Sequence, residues 1–135
     1  MTRYAALIDG TVGAYGVTFP DLPGCTAMGQ TPELALAHAA DSLREWIELT
    51  AESGAPVPDP RPIESLRSET DLAEALAAGS FLATIPLIRH SGKPVKANLS
   101  LDSGILDAID AEAKRRKLTR SAFVETMARE MLAAG

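Results

Sequence analysis

The sequence predicts an α+β protein in two parts: a β-β-β-α-(α)-β domain over residues 1–91, then a strand and two helices over residues 92–135. Three observations carry that reading. Short apolar runs punctuated by Gly and Pro precede one long stretch of helical periodicity, the pattern of a single sheet with helical cover. Ser91-Gly92-Lys93-Pro94 then breaks the chain at the point where its charge changes sign. Beyond the break, residues 95–101 alternate strictly between apolar and polar side chains.

The elements follow in order. Arg3 to Ile8 reads as a strand, Asp9-Gly10-Thr11-Val12-Gly13 as turn chemistry, and Ala14 to Phe19 as a second strand with Tyr15, Val17 and Phe19 on one face. Two strands joined by a short Gly-rich loop make a hairpin. Pro20-Asp21-Leu22-Pro23-Gly24 ends the ladder, because two prolines cannot sit in a central strand. Cys25 to Gln30 is a short third strand. Thr31 is a good N-cap, Pro32 suits the first turn and Glu33 suits the positive dipole end. Leu36, Ala40, Leu43 and Ile47 follow at helical spacing, and Ser53-Gly54 ends the helix. The four-proline stretch from Ala55 to Pro62 is an extended connector, followed by a short helix from Glu69 to Ala78. Phe81 to Ile88 is a fourth strand, and Pro86 places that end at a sheet edge or bulge.

Composition limits what these elements can do. The chain has 135 residues, 46% of them hydrophobic but only 4% aromatic, so aliphatic and alanine packing must form the core. Two small domains of this size are each marginal alone, which makes association of copies an expectation. The front part, residues 1–91, has 5 Lys+Arg against 12 Asp+Glu; the back part has 8 against 6. An acidic front suits a basic protein partner and a basic back suits a polyanion. No apolar run is long enough for a signal peptide or a membrane span, and the single cysteine, Cys25, cannot form an internal disulfide. A reducing cytoplasm is the expected location. His38 and His90 are the only histidines and stand in no metal-ligand spacing, Cys25 has no nearby base, and no phosphate-binding glycine loop occurs. The expectation is a protein that is not an enzyme and needs no cofactor.

The last forty residues are the most informative. Val95, Ala97, Leu99 and Leu101 face one way; Lys96, Asn98 and Ser100 face the other. Asp102 or Ser103 caps a helix running to about Lys117, with Leu106, Ile109 and Ala113 on one side. Thr119 caps a second helix from Arg120 to about Leu132, with Phe123, Met127 and Met131 in line. A lone strand leaves its backbone N–H and C=O groups unpaired. Two copies pairing antiparallel would satisfy them and make a ribbon that fits the DNA major groove. Lys suits guanine acceptors, Asn suits adenine and Ser suits either. The second helix offers free N–H groups and a cation at Thr119-Arg120-Ser121, suited to a phosphate. The run Lys114-Arg115-Arg116-Lys117 points in several directions around a helix, so it cannot all face one phosphate chain.

This strand, capped helix, Leu-Thr-Arg-Ser turn and second helix resemble the ribbon-helix-helix repressor family over residues 94–133. The resemblance implies that Lys96, Asn98 and Ser100 read bases and that the amides of Thr119, Arg120 and Ser121 clamp a phosphate. Lys117 departs from it, since the family often has glycine between the helices. In the front part, Tyr4-Ala5-Ala6-Leu7-Ile8, the string Gly16-Val17-Thr18-Phe19-Pro20-Asp21-Leu22-Pro23-Gly24-Cys25, Gly29-Gln30-Thr31 and the alanine-rich helix resemble the HicB antitoxin family. That resemblance implies a partial RNase H-like fold without working nuclease residues. It implies a partner, a small basic HicA-type mRNA interferase, and repression of the shared operon through operator double-stranded DNA. Gln30 departs from the acidic residue usual before the capping Thr. The loop Phe19, Pro20, Asp21, Leu22, Pro23 and Gly24, stiffened by two prolines, is the expected toxin contact, because a rigid loop loses little entropy on binding. A homodimer through the ribbon is the minimum assembly and a tetramer is possible if the front domains pair. Two other readings stand beside this one: a stand-alone regulator whose front domain senses a ligand, and a nuclease, which would need several clustered carboxylates.

Overall fold

The computed structural model describes residues 1–134. Strands β1 (Arg3–Thr11), β2 (Ala14–Thr18) and β3 (Thr26–Gly29) lead into helix α1 (Pro32–Glu52). Helices α2 (Ile63–Arg67) and α3 (Thr70–Ala77) and strand β4 (Phe81–Pro86) follow, then α4 (Ser103–Arg115) and α5 (Arg120–Ala134). The four strands form one antiparallel sheet in the order β3-β2-β1-β4. The chain divides into two compact units, Met1–Arg89 and His90–Gly135.

In the first unit β1 is a central strand covered on both faces, which is why Tyr4 to Ile8 is apolar without interruption. Tyr4, Ala6 and Ile8 pack with Val17, Ala27 and Ile85 under α1, whereas Ala5 and Leu7 pack under α2 and α3 with Leu66, Leu72 and Leu82. β1 runs three residues beyond the expected Ile8, and only Val12-Gly13 joins it to β2. Gly10 permits this extension. Its φ is +107°, and a Cβ there would lie 3.0 Å from the Tyr15 Cα and overlap the Ala14 carbonyl. β4 lies at the sheet edge, as Pro86 requires, and stops at Pro86 instead of the expected Ile88.

Helix α1 begins as expected, with Thr31 Oγ1 accepting from the Leu34 N–H at 3.1 Å. Its inner face is displaced from the expected one: Ala35, Ala39, Leu43 and Ile47 are buried, while Leu36 and Ala40 are only partly covered. The reason is a close approach. A Cβ on Gly29 would lie 2.7 Å from the Ala35 Cα, so β3 and the first turn of α1 touch backbone to backbone. Alanine fits that seam and leucine does not. Burying Leu43 and Ile47 further along contributes roughly 1.5–3 kcal/mol each.

Helix α2 is an addition to the expected order. It starts straight after the proline connector, with Pro62 at its N-cap, and its Leu66 is fully buried. In the second unit, Asp102 caps α4 by accepting from the Gly104 and Ile105 N–H groups at 2.9 and 3.1 Å. Thr119 Oγ1 accepts from the Ala122 N–H at 3.1 Å in the first turn of α5. Ala113 and Phe123 are buried between the helices, but Met131 is 79% exposed and is not part of that contact. Lys117 turns the chain between the helices in the left-handed region, at φ 58°, where glycine is usual.

Candidate functional site

The Phe19–Gly24 string folds as a tight, self-bonded loop. The Leu22 N–H donates to the Phe19 carbonyl and the Cys25 N–H to the Leu22 carbonyl, both at 3.0 Å. Phe19, Asp21, Leu22 and Cys25 point inward and are buried, Pro20 is partly covered, and Pro23 and Gly24 are exposed. The six residues expected to form part of the toxin contact thus divide into an inner and an outer set. Phe19, Asp21 and Leu22 hold the loop in place, and its outer surface is Pro20, Pro23 and Gly24. Burial pushes the Cys25 thiol up to about 11, so it is a protonated core group and no nucleophile at neutral pH.

Asp21 is the one polar residue among the buried core side chains described, and Arg61 explains it. The Arg61 backbone N–H donates to Asp21 Oδ2 at 2.9 Å, and the Arg61 guanidinium bonds Asp21 on one side and Glu69 on the other. These contacts tie the loop to the end of the proline connector and the start of α3. His38, exposed on α1, shares a hydrogen bond of 2.6 Å with the Met28 carbonyl through Nδ1. Among the described residues no group of three or more His, Cys, Asp or Glu is placed to hold a metal ion. No described helix is long and apolar enough to cross a membrane.

In the second unit, the segment before α4 carries no strand pairing, and every residue from 91 to 101 is exposed. Val95 and Leu99 are 88% and 68% exposed despite being strongly apolar. The alternation has a spatial counterpart. Val95, Ala97, Leu99 and Leu101 line an open groove of about 320 Å³ together with Leu106 of α4 and Arg120, Ser121, Val124 and Glu125 of α5. Lys96, Asn98 and Ser100 are exposed and do not line it. Thr119 and Ser121 are also exposed, whereas Arg120 is engaged by a residue that sequence reasoning passed over. Its Nε and Nη2 donate to the two carboxylate oxygens of Asp110 at 2.7 and 2.8 Å. Of the basic run, Arg115 and Arg116 both bond Glu112, and Arg116 lies 5.3 Å from the Phe123 ring centroid. Only Arg116 reaches across to α5, through that ring; both Glu112 pairs are local to α4, and Glu112 is held down at about 2 by their hydrogen bonds. The Glu112 pairs follow helical spacing; the Asp110–Arg120 pair spans a turn and has no local signature.

Residues 4–128 match the family described as HicB_like antitoxin of bacterial toxin-antitoxin system. The chain belongs to this family. Among solved structures, the Burkholderia pseudomallei antitoxin HicB is similar at a TM-score of 0.56 and 28% identity, covering 98% of this chain and 99% of that one. A chain of the HicA3 and HicB3 toxin–antitoxin complex is similar at 0.55 and 25% identity, covering 64% of this chain and 99% of that one. An uncharacterised 14.9 kDa protein of Haemophilus phage HP1, from the rep-hol intergenic region, is 26% identical over 107 residues, which is 79% of this chain and 78% of the phage protein. The HicB-like family accounts for both units at once, since its match runs from β1 into α5.

Proposed function

We propose that this HicB-like chain is the antitoxin of a type II toxin–antitoxin pair. It neutralises a small basic HicA-type mRNA interferase by direct binding, and it represses its own operon by binding operator DNA as a ribbon-helix-helix dimer in the cytoplasm. The observation that carries the reading is the groove of the second unit, where one face of residues 95–101 is apolar, exposed and without a strand partner. A second copy pairing antiparallel along that segment satisfies its backbone and covers Val95, Leu99 and Leu101. Lys96, Asn98 and Ser100 of both copies then lie together on the opposite face, on a ribbon of the width the major groove admits. The N–H groups at Thr119, Arg120 and Ser121 meet the flanking phosphate.

The first unit is read as the partial RNase H-like domain that receives the toxin. Its excess of 12 acidic over 5 basic residues across 1–91 attracts a basic partner and speeds encounter. Pro20, Pro23 and Gly24 offer a surface already immobilised by the buried side of the same loop. The structure of a HicA3 and HicB3 complex, in which a similar chain takes part, supports the choice of partner.

The test is the double substitution Lys96→Ala, Asn98→Ala. Two good base contacts are worth about 1–3 kcal/mol each, so operator affinity should fall at least about thirtyfold. Neutralisation of the toxin encoded beside this chain should stay intact in a growth-rescue assay. Equal loss of both activities would contradict the division of labour.

A further inference from the structure

The cations of residues 90–134 fall into two groups. Arg115 and Arg116 pair with Glu112, Arg120 with Asp110 and Arg129 with Glu125. Lys93, Lys96, Lys114 and Lys117 form no ion pair among the described residues. Three of the arginine pairs lie within one helix at spacings of three or four, the usual arrangement on a solvated face. The Arg120 pair differs. Asp110 lies on α4, Arg120 opens α5, and the two meet through two parallel hydrogen bonds. Such a bidentate contact fixes orientation as well as position. A cation at a helix N-terminus is disfavoured by the positive end of the dipole, and the Asp110 carboxylate offsets that cost. The hydrogen bond from Arg120 holds the Asp110 carboxyl below its ordinary range.

A guanidinium carries five N–H donors. Asp110 occupies the edge formed by Nε and Nη2. Three donors remain, two of them on the opposite Nη1–Nη2 edge, and the flanking residues Thr119 and Ser121 are exposed. We infer that Asp110 is a specificity-determining residue of the DNA-binding surface: it cancels the charge of Arg120 at long range and leaves the opposite guanidinium edge aligned for a phosphate oxygen at contact distance. The inference rests on the DNA-binding reading above. Beyond about one Debye length the pair is only a dipole, so attraction to arbitrary DNA falls to the four lysines and the one positive charge left over where Arg115 and Arg116 share Glu112. At contact the hydrogen bonds of a held guanidinium form with less loss of rotamer freedom than those of a loose one. Asp110 thus restrains binding to any polyanion while keeping the short-range contact that a correctly seated ribbon makes.

The experiment titrates the full-length protein with two duplexes over a salt series from about 50 to about 200 mM. One duplex spans the promoter region directly upstream of the chain's own gene; the other has the same length and random sequence. With Asp110→Asn, one more charge per chain meets DNA. The slope of log K against log salt should steepen by about 0.9 per chain. Affinity for the random duplex should rise about five- to tenfold per chain near 0.1 M salt, narrowing the ratio between the two duplexes. The isoelectric double variant Asp110→Asn, Arg120→Gln should return the slope to the wild-type value while weakening binding to the promoter duplex about tenfold. An unchanged slope in Asp110→Asn overturns the inference, and so does a steeper slope that persists without Arg120. Should Asn at position 110 loosen the hairpin by circular dichroism, the double variant decides alone: a slope shallower by about 0.9 per chain means that Arg120 was already a free charge. A wild-type protein that binds neither duplex removes the DNA-binding reading and this inference together, whereas wild-type binding with an unmoved slope removes only the role of Asp110.

Discussion

Lys117 occupies a left-handed backbone position, φ 58°, that a side chain makes costly. Its N–H donates to the Lys114 carbonyl and the Leu118 N–H to the Ala113 carbonyl, so the position closes α4 and cannot relax elsewhere. Lys117→Gly should therefore raise stability by about 0.5–1 kcal/mol, seen as a higher thermal midpoint for the second unit. A lower midpoint would mean that the lysine stem packs usefully there. Cys25 gives a second expectation. Its pKa rises from an ordinary 9.0 to about 11 through burial, so the folded chain holds this proton more tightly than the unfolded chain. Stability should be unaffected by this group below pH 9 and fall as pH rises from 9 toward 11. Denaturant melts across that window should show a loss that Cys25→Ala reduces.

At the scale of elements, the backbone seam between β3 and α1 is the most restrictive feature. Gly29→Ala pushes a methyl into the Ala35 backbone, where no side chain can yield. The expected cost is about 3 kcal/mol or more, measured by urea unfolding, with toxin binding lost in proportion to folding. The same seam explains which part of the helix could be read in advance. The Thr31-Pro32-Glu33 start was legible because capping is local chemistry. The buried face was misplaced at Leu36 and Ala40 because it depends on how closely a strand approaches, and periodicity does not encode that distance. Helix α2 was hidden for a related reason: five residues after a proline-rich run hold their shape through the long-range burial of Leu66. On the candidate surfaces, alternation separated Val95, Ala97, Leu99 and Leu101, which line the groove, from Lys96, Asn98 and Ser100, which do not; it did not separate exposed from buried, since all of residues 91–101 are exposed. The burial of Asp21 was not legible, since an acid in a proline loop is ordinarily exposed and its partner Arg61 lies 40 positions away.

For the whole molecule, the proposed assembly depends on the groove formed by Val95, Ala97, Leu99 and Leu101. Leu99→Asp places a charge where a second copy must bury an aliphatic side chain, and its twin lies close by in an antiparallel pair. Sedimentation velocity should show a shift from dimer to monomer at micromolar concentration, with promoter binding lost and the first unit still able to neutralise toxin. A dimer that survives the change would place the contact elsewhere in the chain.

Asp21 grips Arg61 at two points, amide and guanidinium, while Tyr4 donates its hydroxyl hydrogen to the Pro58 carbonyl at 2.7 Å. Together they act as a ruler laid across the prolines. Slack exists only upstream, around Gly54 to Pro56, where an extra residue or two would merely enlarge an exposed bend at small entropic cost. One residue inserted between Arg61 and Ile63 would instead rotate α2 by about 100° and turn Leu66 out of its socket. Gene-length variation in this antitoxin therefore has a safe address just after α1 and a forbidden one seven residues later.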